Sequence, residues 1–314
     1  MLDIKKFKLK RISNFTIYII FAILFLLFSI LLHDKGFLTV GNLMNIARQA
    51  ATISIMAAGM TFVLSAGEID LSIGSNVALS AIVTAILLRD YNIFIAILVG
   101  ISVGALIGLI NGLLVTKVKI PSFIATLGMM SILLGLARWI SGLKSIPVTN
   151  KIYNFIFGLG NIGKIPILLI WIILTMVIGQ LVLKKTPFGR KVLATGGNKL
   201  AAIYTGIKVD RIKITTLIIS GILAALAGMI YAGRLQGARY TLGEADLLTV
   251  IAASIIGGTS LIGGEGTVIG SVIGAIILGM INNGLILLGL SLDQQIITRG
   301  VIIILAVSFS MRED

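Results

Sequence analysis

The sequence predicts an all-α polytopic membrane protein of about ten transmembrane helices. Three observations carry that expectation. First, the 314 residues are 57% hydrophobic and only 12% charged, with a mean hydropathy of +1.09; a water-soluble domain carries roughly 25% charged residues. Second, the apolar residues fall in long runs, such as 15–32, which holds no charged side chain; a run of ~18 or more reads as a membrane span. Third, the cations gather at the ends of these runs, where they stay hydrated and meet anionic lipid.

The net charge of +14 imitates a nucleic-acid signal. Its distribution argues otherwise. Five of the 26 Lys and Arg lie in the first eleven residues, and eight more lie between Lys184 and Lys213, as positive-inside topology requires. No nucleic-acid partner is expected. The absence of cysteine removes disulfides, thiolate metal sites and cysteine catalysis. The first apolar run exceeds the ~7–15 residues of a signal-peptide core and no small-x-small cleavage site follows, so it is expected to remain as a first span.

With Lys5, Lys6, Lys8, Lys10 and Arg11 inside, the spans follow in order. The first is about 13–32, and 37–45 is an interfacial stretch. A second span, 47–65, is interrupted at Ala66-Gly67-Glu68-Ile69-Asp70. The third is 71–88, the fourth 93–115, ending at Lys117 and Lys119, and the fifth 122–140 after Pro121. An outer loop, 141–164, precedes the sixth span, 165–183. The most basic loop, 184–213, follows, and then spans at 214–233, 247–262, 267–288 and 295–308. This count places each strong cation cluster inside and both termini in the cytoplasm. The whole chain, 1–314, reads as a single transmembrane domain.

The halves echo each other. The fourth span carries Gly100, Gly104, Gly108 and Gly112; the ninth carries Gly266, Gly270 and Gly274, then Asn282-Asn283-Gly284. Glycines four apart form a groove that lets backbones approach in lipid, and the two spans run in opposite directions, which points to an inverted repeat. Gly158, Gly160 and Gly163 imitate a dinucleotide fingerprint, and Gly163-Lys164 a phosphate loop. Neither follows a strand, and Ile165 stands where a phosphate loop needs Ser or Thr. They read as a flexible loop.

Glu68 and Asp70 sit at a break between spans. They read as solvated turn residues, with Asp70 capping the third helix, or as an ion site. No other span supplies them an evident ionisable partner. His33, the single histidine, is expected at the interface. Arg138, Trp139, Arg234 and Arg239 read as outer anchors, or, for the last two with Glu244 and Asp246, as a seat for an extracellular partner.

The basic loop contains Phe188-Gly189-Arg190, Ala194-Thr195-Gly196-Gly197-Asn198, Ala201-Ala202 and Gly206-Ile207. Together with Gly59-Met60-Thr61, Ile69-Asp70-Leu71-Ser72-Ile73-Gly74-Ser75 and Gly257-Gly258-Thr259-Ser260-Leu261, these blocks resemble ribose-type ABC importer permeases along nearly the whole chain. The resemblance implies a cobalamin-importer-like (type II) fold with ten helices and a plasma-membrane subunit that is not an enzyme. It implies a second permease copy as a homodimer, or a related permease, an extracytoplasmic solute-binding protein and a cytoplasmic ABC ATPase. Cofactors are expected only there, as ATP and magnesium on the ATPase.

Within the loop, Gly196, Gly197, Asn198, Ala201, Ala202, Gly206 and Ile207 would form the coupling helix, with Asn198 as its cap and the alanines allowing close approach to the ATPase. Lys199 and Ile203 depart from the family's usual residues, as does Glu68. Asp70, Ser72, Asn111, Asn282 and Asn283 are candidates for lining or gating the pathway. The implied solute is a monosaccharide such as ribose; a nucleoside or a furanosyl signalling molecule stays open. A secondary transporter or channel using Glu68 and Asp70 is the competing class. An enzyme is disfavoured, because one histidine and no cysteine leave no nucleophile–base pair or metal cluster.

Overall fold

The computed structural model describes residues 2–310, with side chains described for 17–302 and for Ile304. The side chains of the basic cluster from Lys5 to Arg11, and residues 311–314, lie outside the described residues. Among the described residues, seven helices are long and apolar enough to cross a membrane.

Helix α1 (Leu2–Leu31) ends at a sharp turn. Phe37 folds back against Phe25 and Phe28, with ring centroids 5.9 and 5.7 Å apart. The stretch expected at the interface instead starts the next helix. Thr39 Oγ1 accepts from the Asn42 amide at 3.3 Å, capping α2 (Val40–Ser65).

From Ala50 to Ser65, α2 is buried on nearly every side. Its small residues (Ala57, Ala58, Gly59, Thr61) let it serve as the central post, packed by α7 (Ile167–Lys185), α10 (Val209–Leu235), α11 (Leu247–Ile256) and α12 (Val268–Leu287). It stops at Ala66-Gly67, where Gly67 adopts φ +76°.

Helix α3 (Ile73–Asp90) returns, and α4 (Ile93–Leu113) follows an Asn92 cap and runs on through a π-helical turn to Val118. Lys119 in the left-handed region and then Pro121 break the chain. Helix α5 (Ser122–Ser141) begins there. The outward faces of α4, α5 and α7 present Phe94, Leu98, Ile132 and Leu181. Such apolar faces suit lipid, since soluble chains rarely expose patches this large.

The 142–166 segment holds a short helix, α6 (Lys151–Asn154), and three short strands that belong to two small pairs. In one, Ile146–Pro147 pairs antiparallel with Gly237–Ala238. A side chain on Gly158 would overlap the backbone of Gly233 and Arg234, so this glycine is a packing contact. Tyr153 lies fully buried here, donating to the Met229 carbonyl at 3.0 Å, and burial raises its phenol above the usual range.

After α7 come α8 (Pro187–Gly197), α9 (Lys199–Tyr204) and the long α10. Helix α11 is shorter than the expected 247–262 span. It holds ten residues, about 15 Å at 1.5 Å per residue, half of a ~30 Å hydrocarbon core. Gly257 and Gly258, the latter at φ +85°, turn the chain out of the helix, and a Cβ on Gly257 would strike the backbone of Gly270 and Ser271. The remainder is a loop in which Gly257 and Thr259 are buried in protein while Gly258 and Ile262 are exposed. Helix α12 and α13 (Leu292–Ser310) complete the bundle.

Candidate functional site at the helix breaks

The break between α2 and α3 is held from several directions. Glu68 and Asp70 are buried, not solvated. Asp70 Oδ1 accepts from the Ser72 amide at 3.0 Å and its hydroxyl at 2.6 Å, and Oδ2 accepts from Ser220 Oγ of α10 at 2.8 Å. Asn111 of α4 donates to Ser72 Oγ at 2.8 Å. Three of the expected pathway residues, Asp70, Ser72 and Asn111, therefore form one cluster. The backbone of the break is satisfied by α5: Ser122 Oγ accepts from the Ile69 amide at 3.2 Å and Thr126 Oγ1 from the Leu71 amide at 3.0 Å.

Glu68 has the ionisable partner that the sequence reading did not find. Lys213, near the start of α10, forms an ion pair with it. The two are 145 positions apart, and only the folding of α10 against α2 brings them together. Ser122, Thr126, Ser220 and Lys213 were all missed. Their signal is faint: hydroxyls inside otherwise apolar runs, and a lysine at the edge of a cation-rich loop.

Replacing Asp70 by alanine strands buried donors on two helices, at about 1–3 kcal/mol for a group left unpaired. Asp70→Ala should lower the thermal midpoint of the detergent-solubilised protein more than Asp70→Asn, which keeps one acceptor oxygen. An unchanged midpoint for both variants would rule out the anchoring role.

Three glycine segments meet beside this break. The Gly264 amide donates to the Ser65 carbonyl at the end of α2, 3.1 Å away. A Cβ on Gly196 would overlap the Ser65 carbonyl, and one on Gly263 would come within 2.9 Å of the Gly67 Cα. The end of α8 thus touches both the α2–α3 break and the α11–α12 loop through backbone alone, leaving no flexible side chain to absorb movement.

Helix α9 projects from that contact. Asn198 Oδ1 accepts from the Ala201 amide at 2.9 Å, and Gly206 leaves the helix at φ +81°. The two alanines differ: Ala201 is exposed, while Ala202 is buried against the protein itself and Ile207 is half-buried. The outward face consists of Leu200, Ile203 and Tyr204, with Tyr204 87% exposed.

The remaining sequence candidates lie elsewhere. Asn283 pairs reciprocally with Asn42, at 2.8 and 3.0 Å, at the far end of the bundle from α9, and Asn282 accepts from Arg299 at 3.0 Å. Gly100, Gly104 and Gly108 face α3 and α10, where added Cβ atoms would strike Thr84, Gly221 and Leu217. Gly266, Gly270 and Gly274 face Ser65, Gly257 and Ala253. Of the expected outer anchors, Arg138 lies over the Tyr240 ring at 5.4 Å, and Arg234 over that of Tyr231 at 5.3 Å.

Residues 42–307 match the family model described as branched-chain amino acid transport system / permease component. The chain belongs to this permease family. The ribose import permease protein RbsC of Bacillus subtilis (strain 168) is 44% identical over 294 residues, 93% of this chain and 91% of that protein. The ribose import permease protein RbsC of Escherichia coli (strain K12) is 39% identical over 279 residues, 87% of each chain. The L-arabinose transport system permease protein AraH of Escherichia coli (strain K12) is 34% identical over 298 residues, 95% of this chain and 90% of that one. No solved structure matches. The permease is a multi-pass, non-enzymatic transport subunit, and the resemblance carried by its glycine-rich blocks agrees with these relatives.

Proposed function

We propose that this permease forms the translocation pathway of an ABC importer for a monosaccharide such as ribose or a related sugar. A separate cytoplasmic ATPase, which holds the ATP and magnesium, drives it. The observation that carries the reading is α9: a capped helix with an outward apolar face of Leu200, Ile203 and Tyr204, rooted by Gly196 in both helix breaks. A partner that grips α9 can shift the α2–α3 break and the α11–α12 loop together. The 184–213 segment is the coupling loop. Similarity to ribose and L-arabinose permeases over most of the chain supports the solute class.

The cation-rich loop supports a cytoplasmic position for α9 and both termini at the plasma membrane. The solute-binding protein then docks at the opposite end. Ten spans, counting α1, α11 and α13, fit a cobalamin-importer-like (type II) fold. Packing supports the inverted repeat. Helix α4 packs on α10 as α12 packs on α2, α3 on α10 as α11 on α2, and α3 on α5 as α11 on α13. Each pair becomes the other when the two halves of five spans are exchanged. A second copy, or a related permease, completes the pathway.

The ion-coupled alternative has little room, because Glu68 is paired with Lys213 and both oxygens of Asp70 accept hydrogen bonds. In proteoliposomes, labelled ribose is expected to enter only with the ATPase, ATP and a sugar-loaded binding protein present. Ion-gradient-driven uptake by the permease alone would overturn the proposal, and a binding protein that retains nucleosides and ignores sugars would overturn the solute class.

A further inference from the structure

At the end of the bundle opposite α9, a cavity of about 300 Å³ opens between α2, α10, α11, α12 and α13. That volume is at the lower end of the range for small-molecule sites. Its wall combines Gln49, Tyr231, Arg234, Asp246, Thr249, Asn282 and Arg299 with isoleucine and leucine side chains from α2, α12 and α13. We propose that this cavity is a binding site for a neutral monosaccharide inside each permease subunit. The inference rests on the importer reading above and adds to it the place where the sugar is held.

Several polar groups are placed but incompletely used. Tyr231 donates its hydroxyl to Asp246 Oδ2 at 2.5 Å, which orients the carboxylate and leaves Oδ1 for another donor. Arg299 uses one nitrogen to hold Asn282 Oδ1 at 3.0 Å, and a guanidinium carries five N–H donors. The Thr249 side chain is only 4% exposed, lines the cavity, and its hydroxyl has no partner among the described residues. A buried hydroxyl without a partner is costly, and this one belongs to a residue of the cavity wall.

The chemistry selects a polyol. Sugar hydroxyls both donate and accept, so they can satisfy a carboxylate, a guanidinium, amides and a threonine at once, while the ring face lies on the aliphatic wall. A simple anion can pair with Arg299 or with Arg234, which already donates to the Arg48 carbonyl, but it needs donors only and meets the Asp246 carboxylate. An amino acid zwitterion can use Asp246 and an arginine, but leaves the Gln49 amide and the Thr249 hydroxyl without partners.

The absence of native cysteine permits a direct test. Leu285, which lines the cavity, is replaced by cysteine as the sole thiol in the full-length permease in lipid nanodiscs, and its reaction with a small methanethiosulfonate is timed. D-ribose at ten times its dissociation constant should slow labelling about ten-fold by mass action. L-leucine and gluconate should not. A sole thiol at Leu200, on α9, should react at the same rate with and without sugar. In the Leu285→Cys background, Thr249→Val and Asp246→Asn should each raise the ribose concentration needed for protection about ten-fold. Thr249→Val is close in shape and guards against a folding defect in the Asp246 variant.

A thiol at 285 that does not react, labelling indifferent to ribose, equal protection by leucine or gluconate, or protection unaffected by both variants would overturn the site. ATP-dependent ribose uptake by the wild-type system, measured in parallel, separates that result from failure of the importer reading itself.

Discussion

Gly104→Leu is expected to abolish assembly of the membrane domain, with loss of the monodisperse peak in size-exclusion chromatography of detergent extracts. Gly104 on α4 and Gly221 on α10 face each other. A Cβ on Gly104 would overlap the Gly221 carbonyl oxygen, and a Cβ on Gly221 would overlap the Gly104 carbonyl oxygen. Both obstacles are backbone, so no rotamer change relieves them, and the helices must separate. Overpacking a core costs about 1–3 kcal/mol when side chains can shift, and more when they cannot. Separation would also strip the contacts that Gly100 and Gly108 make along the same groove, in a solvent where close packing is the main force between helices. Helix α5 supplies the control: a Cβ on Gly128 meets nothing within 4 Å. Gly128→Leu should elute as wild type. Equal behaviour of the two variants would remove the groove from the account of stability.

That contrast also marks how far the sequence could be read. The four-residue glycine period on α4 was legible because helix geometry puts such positions on one face, whereas Gly128 and Gly135 on α5 lack a continuing period. Apolar runs located the long helices, since hydrocarbon requires them to be continuous. The end of α11 was not legible. Leu261 and Ile262 extend the apolar run past the Gly257-Gly258 pair, and only the packing of Gly257 against Gly270 shows that the pair stops the helix at Ile256. The pathway candidates were half legible. Asp70, Ser72 and Asn111 stand out as polar residues among apolar ones and do cluster. Their partner Ser220 and the Glu68–Lys213 pair depend on how α10 crosses α2 and α4, a long-range fact that no local pattern encodes. For α9, the cap and the exit glycine were readable from Asn198 and Gly206. Which alanine faces outward was not, because that depends on how α8 is seated.

The seating of α9 leads to the second large effect. Tyr204→Asp and Leu200→Asp are expected to reduce ATP-dependent uptake at least ten-fold while leaving the permease folded. Both side chains project from the protein, 87% and 66% exposed, so removing them takes little from the permease's own packing. An aromatic or large aliphatic residue presented on a short rigid helix has the character of an interface anchor, and truncating such an anchor commonly costs about 2 kcal/mol or more of binding, roughly thirty-fold in affinity for the ATPase. A carboxylate in its place must in addition be desolvated on docking. Ala202→Leu is the opposite case. That position is buried against the permease itself, so its substitution should lower the thermal midpoint before any question of coupling arises. The pattern to be found is loss of ATPase co-purification and uptake with an unchanged midpoint for the exposed pair, and a reduced midpoint for Ala202→Leu. Full uptake by Tyr204→Asp and Leu200→Asp would mean that the motor holds the permease elsewhere. The contact of Gly196 with Ser65 would then be packing alone, and the break at Asp70 would have to be moved through some other part of the bundle.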